Sequence, residues 1–321
     1  MEKKIIFETN SLYRDPFRVT GFEFGEGEKS VCIVGNTCGN EVQQIYACGK
    51  VVKLLKAFEE EGKINPGHKI LVIPSMNPYS VNCHKKFWPT DNTDINRMFP
   101  GYNLGETTQR IAAGVFEEAQ QYKYGIQFSS FYMPGRFMPH VRMMETGFED
   151  VEMAKEFGMP YVVLRKVRPY ETTTLNYNWQ IWETKAFSVF TTTTNELDDV
   201  SAKQAVKAIV RFLAKRGILR MEANPATDEG IKDKQTLDAA VKSDVIYDTD
   251  LLPIRAMQAG IYKSKVQVGD VVKKGQVLAQ IINPLEGDVA EEVVALEDGV
   301  VFFDHKEPLV YARTAVIKLV V

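Results

Sequence analysis

Lys29–Gly62 reads KSVCIVGNTCGNEVQQIYACGKVVKLLKAFEEEG. Its first seven residues, KSVCIVG, are an apolar run of strand length. The small-residue turn NTCGN follows, Asn36–Asn40. Apolar residues then return at helical spacing (Val42, Ile45, Tyr46, Val52, Leu55) and the pattern stops at Gly62. A buried strand, a tight turn and an amphipathic helix make one unit of an α/β fold. The turn delivers Cys38 and Glu41 where the helix begins, a place where such folds bind ligands. Cys38-x-x-Glu41 is open to three readings: half of a metal site, a nucleophile with a base, or the remains of a lost site.

The same alternation continues outward. HKILVIPS, YGIQFSSF, MPHVRMME, PYVVLRK and KAFSVFTTTT read as strands. TTQRIAAGVFEEAQQYK, EDVEMAKEFG and DDVSAKQAVKAIVRFLAKRG read as helices, the last closed by Gly217 with Lys and Arg in its final turn. NYNWQIW, with Tyr177, Trp179 and Trp182, reads as an aromatic strand that packs in the core, lines a pocket or makes an oligomer contact. Strands alternating with helices predict a mostly parallel mixed sheet covered on both faces. Residues 221–245 are polar and irregular and are expected to be a connector. From Ile246 to the end, short strands are separated by Gly and Asp turns, which predicts a small all-β domain. The division is therefore 1–220 for the α/β domain, 221–245 for the connector and 246–321 for the β domain.

Composition narrows the function classes. The chain has 321 residues, 45% of them apolar, enough for more than one core. A net charge of −3 with mixed signs leaves no basic field for nucleic acid. No apolar run approaches the ~20 residues of a membrane span, and MEKKIIFETNSLYRD is not a signal peptide. Cys32, Cys38, Cys48 and Cys83 include no CxxC pair and read as free thiols of a cytoplasmic protein.

One loop is richer in chemistry than the rest: NPYSVNCHKKFWPTDNTDINRMFPG, Asn77–Gly101. It follows a predicted strand and concentrates Asn77, Asp94, Asn96 and Arg97 among three prolines. Arg97 can clamp a carboxylate through two parallel hydrogen bonds. The plainer reading is that Asp94 and Arg97 pair and cap the next helix.

NP…DINRMFPG resembles the Asn-Pro and Asp-(Leu/Ile)-Asn-Arg-x-Phe-Pro-Gly motifs of the succinylglutamate desuccinylase/aspartoacylase family, within the zinc carboxypeptidase superfamily. VGNTCGNE resembles its Gly-x-His-Gly-Asn-Glu motif and MPHVRM its Pro-His-Val-Arg strand. VQVGDVVKKGQVLAQI and VVALEDGVVFF look like the barrel-sandwich of lipoyl and biotinyl carrier domains. NPLEGDVAEEVVA, at the place of the carrier hairpin, has no Lys to take the cofactor, so neither lipoyl nor biotin attachment is expected. The resemblance implies a carboxypeptidase-like α/β domain and zinc-dependent hydrolysis of N-acyl amino acids.

Carried over residue by residue, the resemblance also marks departures. Cys38 stands where the family's first zinc-binding His would be, and Glu41 keeps the second ligand. Gln127–Phe128–Ser129 replaces Asp-Leu-His, so Ser129 occupies the third ligand position. Thr191, or else Glu196, falls where the general base belongs. Lys86 replaces a substrate-binding Arg, while Asn77, Asn96 and Arg97 match the substrate loop. A catalytic zinc takes three strong protein ligands, and a neutral hydroxyl is a poor one. Zinc would then require a substitute such as His140. Two readings follow. One is a protein that binds a small carboxylate over a degenerate zinc site; the other is an active zinc hydrolase using Cys38, Glu41 and His140. A homo-oligomer is compatible with either.

Overall fold

The computed structural model describes residues 1–11, 13, 15–220 and 242–321. The expected connector therefore lies almost wholly outside the described residues. The chain divides into two units. Met1–Ser130 with His140–Asp244 forms the first, and Phe131–Pro139 with Val245–Val321 forms the second.

The first unit is built on a mixed sheet. Its strands are β1 (Glu2–Thr9), β2 (Phe17–Gly25), β3 (Gly27–Asn36), β4 (Gly67–Ser75), β5 (Tyr124–Ser129), β7 (His140–Glu145), β8 (Tyr161–Lys166) and β9 (Lys185–Phe190). They are ordered β1-β2-β4-β3-β5-β9-β7-β8. β3, β4, β5 and β9 run parallel, β7 opposes β9, and β1–β2 is an antiparallel hairpin at one edge. A short strand, β6 (Gly135–Phe137), belongs to the second unit, and β10 (Asp244–Tyr247) begins where the first unit ends.

Burial on both faces explains the continuous apolar runs. Val31 and Ile33 of β3 join one core with α1 (Val42–Glu60) and α6 (Asp199–Lys215). Cys32 and Val34 join the opposite core with α3 (Thr107–Ala119) and α5 (Leu175–Ile181). α1 buries Ala47, Cys48, Val51, Leu54, Leu55 and Phe58, a stripe at helical spacing. Asp198 caps α6 by accepting from Ser201 N at 3.0 Å. Gly62 and Gly217 take φ of +66° and +70° just past α1 and α6. Two shorter helices, α2 (Pro78–Asn82) and α4 (Val151–Lys155), complete the unit.

Five elements depart from the sequence reading. NYNWQIW is helix α5, not a strand. Thr174 caps it, its Oγ1 accepting from Tyr177 N at 3.4 Å, and Leu175 and Trp179 face the core one turn apart. The aromatic alternation at 177 and 179 imitated a strand, but the i, i+4 pair decides the burial. KAFSVFTTTT is strand only to Phe190; the threonines form the turn after it. The β1–β2 hairpin and β6 were not anticipated.

The second unit is all-β, as expected. One sheet is ordered β11 (Leu251–Arg255), β18 (Ala315–Val320), β16 (Gly299–His305), β13 (Val271–Val272), with β6 on β16. The other is ordered β15 (Val289–Val294), β14 (Val277–Ile282), β12 (Gly260–Ser264), β17 (Leu309–Val310). Tyr262, Leu278, Ile281, Val293, Val301, Val316 and Leu319 fill the core of this unit. Among the described residues no helix is long and apolar enough to cross a membrane.

Candidate active site

The parallel strands bring four chain segments to one edge of the first unit. Asn36 at the end of β3 pairs with Ser75 at the end of β4, and Ser129 of β5 pairs with Phe190 of β9. Beyond these ends lie the Thr37–Glu41 turn, the Asn77–Gly101 loop, Ser130, and the threonine turn.

Glu41 is 5% exposed and immediately precedes α1. Its Oε2 accepts from Thr37 N at 2.7 Å, Cys38 N at 2.8 Å and Thr37 Oγ1 at 3.3 Å. Its Oε1 accepts from Ser130 Oγ at 2.5 Å. Burial pushes its pKa above the ordinary carboxylate value, against the pull of these hydrogen bonds. The turn is held from outside as well. Asn36 Nδ2 donates to Cys38 O at 2.7 Å, Asn77 Nδ2 to Thr37 O at 3.3 Å, and Gly39 N to Lys86 O at 2.9 Å. A Cβ on Gly39 would sit 2.2 Å from Lys85 O, so the close approach requires glycine there.

Cys38 is buried, with its Sγ 3.8 Å from Asp94 Oδ1. Burial raises the thiol well above its usual pKa, and the charges of Glu41 and Asp94 add to this while Lys86 opposes it. α1 begins only at Val42, four residues beyond Cys38, and a buried thiol held in its neutral form is a poor nucleophile.

The other candidate ligands are placed as follows. Ser129 ends β5, and its carbonyl accepts from Gln44 Nε2 at 3.3 Å. His140 is buried in β7 with its ring stacked on Phe190, centroids 4.7 Å apart. Among the described residues no three His, Cys, Asp or Glu side chains are grouped so as to hold a metal ion. Cys38, Glu41 and His140 thus do not form such a group, while a catalytic zinc takes three strong protein ligands. Thr191, at the general-base position, is buried and donates its hydroxyl to Thr193 O at 3.0 Å. Glu196 lies exposed in the turn beyond, its carbonyl accepting from Thr193 Oγ1 at 2.8 Å.

The Asn77–Gly101 loop divides into scaffold and surface. Asn77 is fully buried and caps α2, accepting from Ser80 N at 3.1 Å; its side chain is part of the framework. Asp94 caps the turn at Ile95–Arg97, accepting from Asn96 N at 2.9 Å, and lies 3.7 Å from Arg97 Nε. Asn96 Oδ1 accepts from Gln127 Nε2 at 3.3 Å and from Leu175 N at 3.4 Å. Arg97 donates to Tyr170 O at 2.6 Å and lies over the Tyr170 ring. Lys86 is exposed beside Phe87.

Sequence reasoning missed Ser130, Tyr170 and Asn176. Tyr170 OH accepts from Arg168 at 2.9 Å and Arg165 at 3.2 Å, so three arginines meet at one residue; the dense RKVRPYE run was the available signal. Asn176, on α5, is 3% exposed, and both its Nδ2 and Oδ1 lack a hydrogen-bond partner among the described residues. Trp179 Nε1 and Gln180 Oε1 on the same helix share that condition. A separate cleft of about 700 Å³ is lined by Tyr13, Phe17, Tyr79, Asn82 and Trp88 with their neighbours. Cys38, Glu41, Asn96 and Arg97 are not among its walls.

This arrangement can be set beside known proteins. The family model for the succinylglutamate desuccinylase/aspartoacylase catalytic domain matches residues 27–215, more than half of the chain. The N-α-acetyl-L-2,4-diaminobutyric acid deacetylase of Halomonas elongata is 24% identical over 294 residues, covering 88% of this chain and 79% of that one. A succinylglutamate desuccinylase/aspartoacylase structure from Rhodobacter sphaeroides superposes with a TM-score of 0.73 at 16% identity, over 95% of this chain and 89% of its own. The product-bound ectoine utilization protein EutE (DoeB) from Ruegeria pomeroyi gives 0.74 at 17% identity, over 98% and 97%. At these identities the structural likeness speaks for the fold. The family match, which spans the strand–turn–helix and the Asn77–Gly101 loop, identifies the chain as a member of the succinylglutamate desuccinylase/aspartoacylase family.

Proposed function

We propose that this chain uses the family scaffold to bind a small carboxylate-bearing molecule, such as an N-acyl amino acid, over a degenerate zinc site. Metal-dependent amide hydrolysis is lost or altered as a result. The observation that carries this reading is the engagement of Glu41. The one retained ligand residue spends one carboxylate oxygen on Thr37 and Cys38 of its own turn and the other on Ser130, just beyond β5. Cys38 beside it contacts Asp94, and Ser129 brings only a hydroxyl to the third position. Two anionic donors without a third hold zinc weakly.

Binding is supported by what the loop keeps. Arg97 and Lys86 supply positive charge, and Asn96 is fixed by Gln127 and Leu175. The Halomonas elongata relative is named as a deacetylase of an N-acetylated amino acid, which favours that ligand class. The same name favours the competing reading, an active zinc hydrolase completed by a substitute ligand.

Calorimetric titration with a panel of N-acyl amino acids, followed by recovery of the ligand, tests the proposal. Saturable binding with the ligand recovered intact is expected. Turnover abolished by a chelator and restored by zinc would establish the hydrolase instead.

A further inference from the structure

The cleft of about 700 Å³ in the first unit takes no wall from Cys38, Glu41, Asn96 or Arg97, and its lining has a chemistry of its own. One wall is the β1–β2 hairpin, where Thr9 pairs with Phe17. The second is α2 with the segment after it, which supplies Tyr79, Asn82, Trp88 and Thr90. Thr107, at the start of α3, closes a third side. Pro16 just before β2 and Pro78 at the start of α2 stiffen the backbone of the first two walls. Trp88 is fixed in a turn, its N donating to Thr93 O at 2.9 Å and its O accepting from Asn92 N at 2.8 Å. The hairpin precedes residues 27–215, the region that the family model matches, so the family's catalytic domain alone does not build this cleft.

The lining joins aromatic rings to neutral polar groups. Phe17 and Tyr79 both pack on Trp88 with ring centroids 5.2 Å apart, at interplanar angles of 90° and 69°. Trp88 is parallel to neither, so it forms no stacked slot with them for a flat aromatic ligand. The three rings instead make an apolar patch with steep corners. Amide and hydroxyl side chains stand around it, Asn82 and Thr90 exposed, Thr9 and Thr107 half-buried. Among the described lining residues the sole cation is Arg18, and Glu8 pairs with it, so an anionic ligand finds no free partner here. Asp15 is an exposed carboxylate, an acceptor for hydroxyl groups.

We propose that this cleft binds a neutral carbohydrate of one or two sugar rings. A sugar ring has a face of C–H groups and a rim of hydroxyls. The C–H face covers the patch of Phe17, Tyr79 and Trp88, and the hydroxyls exchange hydrogen bonds with Asn82, Thr90 and Asp15. Amides and hydroxyls both donate and accept, which matches a ligand that does the same at every position of its rim. The volume of about 700 Å³ falls within the roughly 300–1,000 Å³ of small-molecule sites. The cleft shares no residue with the proposed carboxylate site, so the two readings stand or fall separately.

Isothermal titration of the full chain with glucose, galactose, mannose, N-acetylglucosamine, maltose and cellobiose, each to about 20 mM, tests this. Saturable binding of at least one is expected, with a change in tryptophan fluorescence that Trp88→Phe removes. Asn82→Leu, at an exposed position, weakens that binding about 3- to 10-fold with an unchanged melting temperature. Phe17→Leu keeps an apolar side chain but removes a ring, and it also weakens binding. An N-acetyl amino acid added at about 20 mM leaves the sugar affinity unchanged. No saturable binding across the panel, binding indifferent to both Asn82→Leu and Phe17→Leu, or displacement of the sugar by the N-acetyl amino acid would each overturn the proposal. Binding of a flat aromatic such as indole, with no sugar bound, would overturn it as well.

Discussion

The Thr37–Glu41 turn and the first turn of α5 both bury polar side chains in the first unit, and they treat them in opposite ways. Glu41 is buried with donors arranged around both oxygens. Asn176 is buried as deeply and has no partner for either amide atom among the described residues. The first arrangement is finished: the carboxylate organises its own loop, and its loss would leave several donors stranded. The second is unfinished. An unsatisfied buried amide costs about 1–3 kcal/mol. The contrast separates a turn whose buried carboxylate is fully partnered from a helix whose buried amide is not.

Removing the framework side should have the largest effect. Glu41→Ala leaves Thr37 N, Cys38 N and Ser130 Oγ without their acceptor in a buried turn. A loss of about 3 kcal/mol or more in urea unfolding is expected. A loss below about 1 kcal/mol would mean that the carboxylate is held for something other than the turn. Asn77→Ala removes a helix cap and the bond to Thr37 O, and should cost about 1–2 kcal/mol by the same measurement.

The unfinished side should respond in the other direction. Asn176→Leu exchanges an unpartnered amide for a side chain of similar size. Stability should stay within about 0.5 kcal/mol of wild type or rise by up to about 1 kcal/mol. A loss of more than about 2 kcal/mol would show that the amide has a structural partner and would erase the comparison.

The second unit offers the gentlest probe. His305 is buried with neither ring nitrogen partnered among the described residues. Burial holds its pKa below 6.5, against the pull of Glu307 and Asp304. As pH falls through about 6.5 the unfolded chain takes up a proton that the folded ring declines, so stability is lost on acidification. Melting temperatures from pH 7.5 to 5 should fall more steeply for wild type than for His305→Phe. Parallel curves would remove His305 from the account.

Much of this was legible in the sequence because local patterns and the final burial agreed. KSVCIVG is apolar throughout because both faces of β3 are covered, and α1 and α6 follow their stripes and closing glycines. The Asn77–Gly101 loop was recognisable from its residues, but the division of labour inside it was not. Asn77 became a cap, while Arg97 turned to Tyr170, 73 residues away in sequence. Ser130 reaches Glu41 across 89 residues, a pairing that no local pattern encodes. α5 was misread because aromatic spacing at 177 and 179 suggested a strand, while burial of Leu175 and Trp179 follows a helix. The segment Phe131–Pro139 leaves the first unit altogether, since β6 finds its partner in β16.

We assign the retained Glu41 to its turn rather than to a metal. Elemental analysis of the purified full-length chain, after dialysis against zinc, tests it most directly. Far less than one zinc per chain, unchanged by Cys38→Ser, is expected. About one zinc per chain, lost on Cys38→Ser or Glu41→Gln while the fold persists, would contradict it.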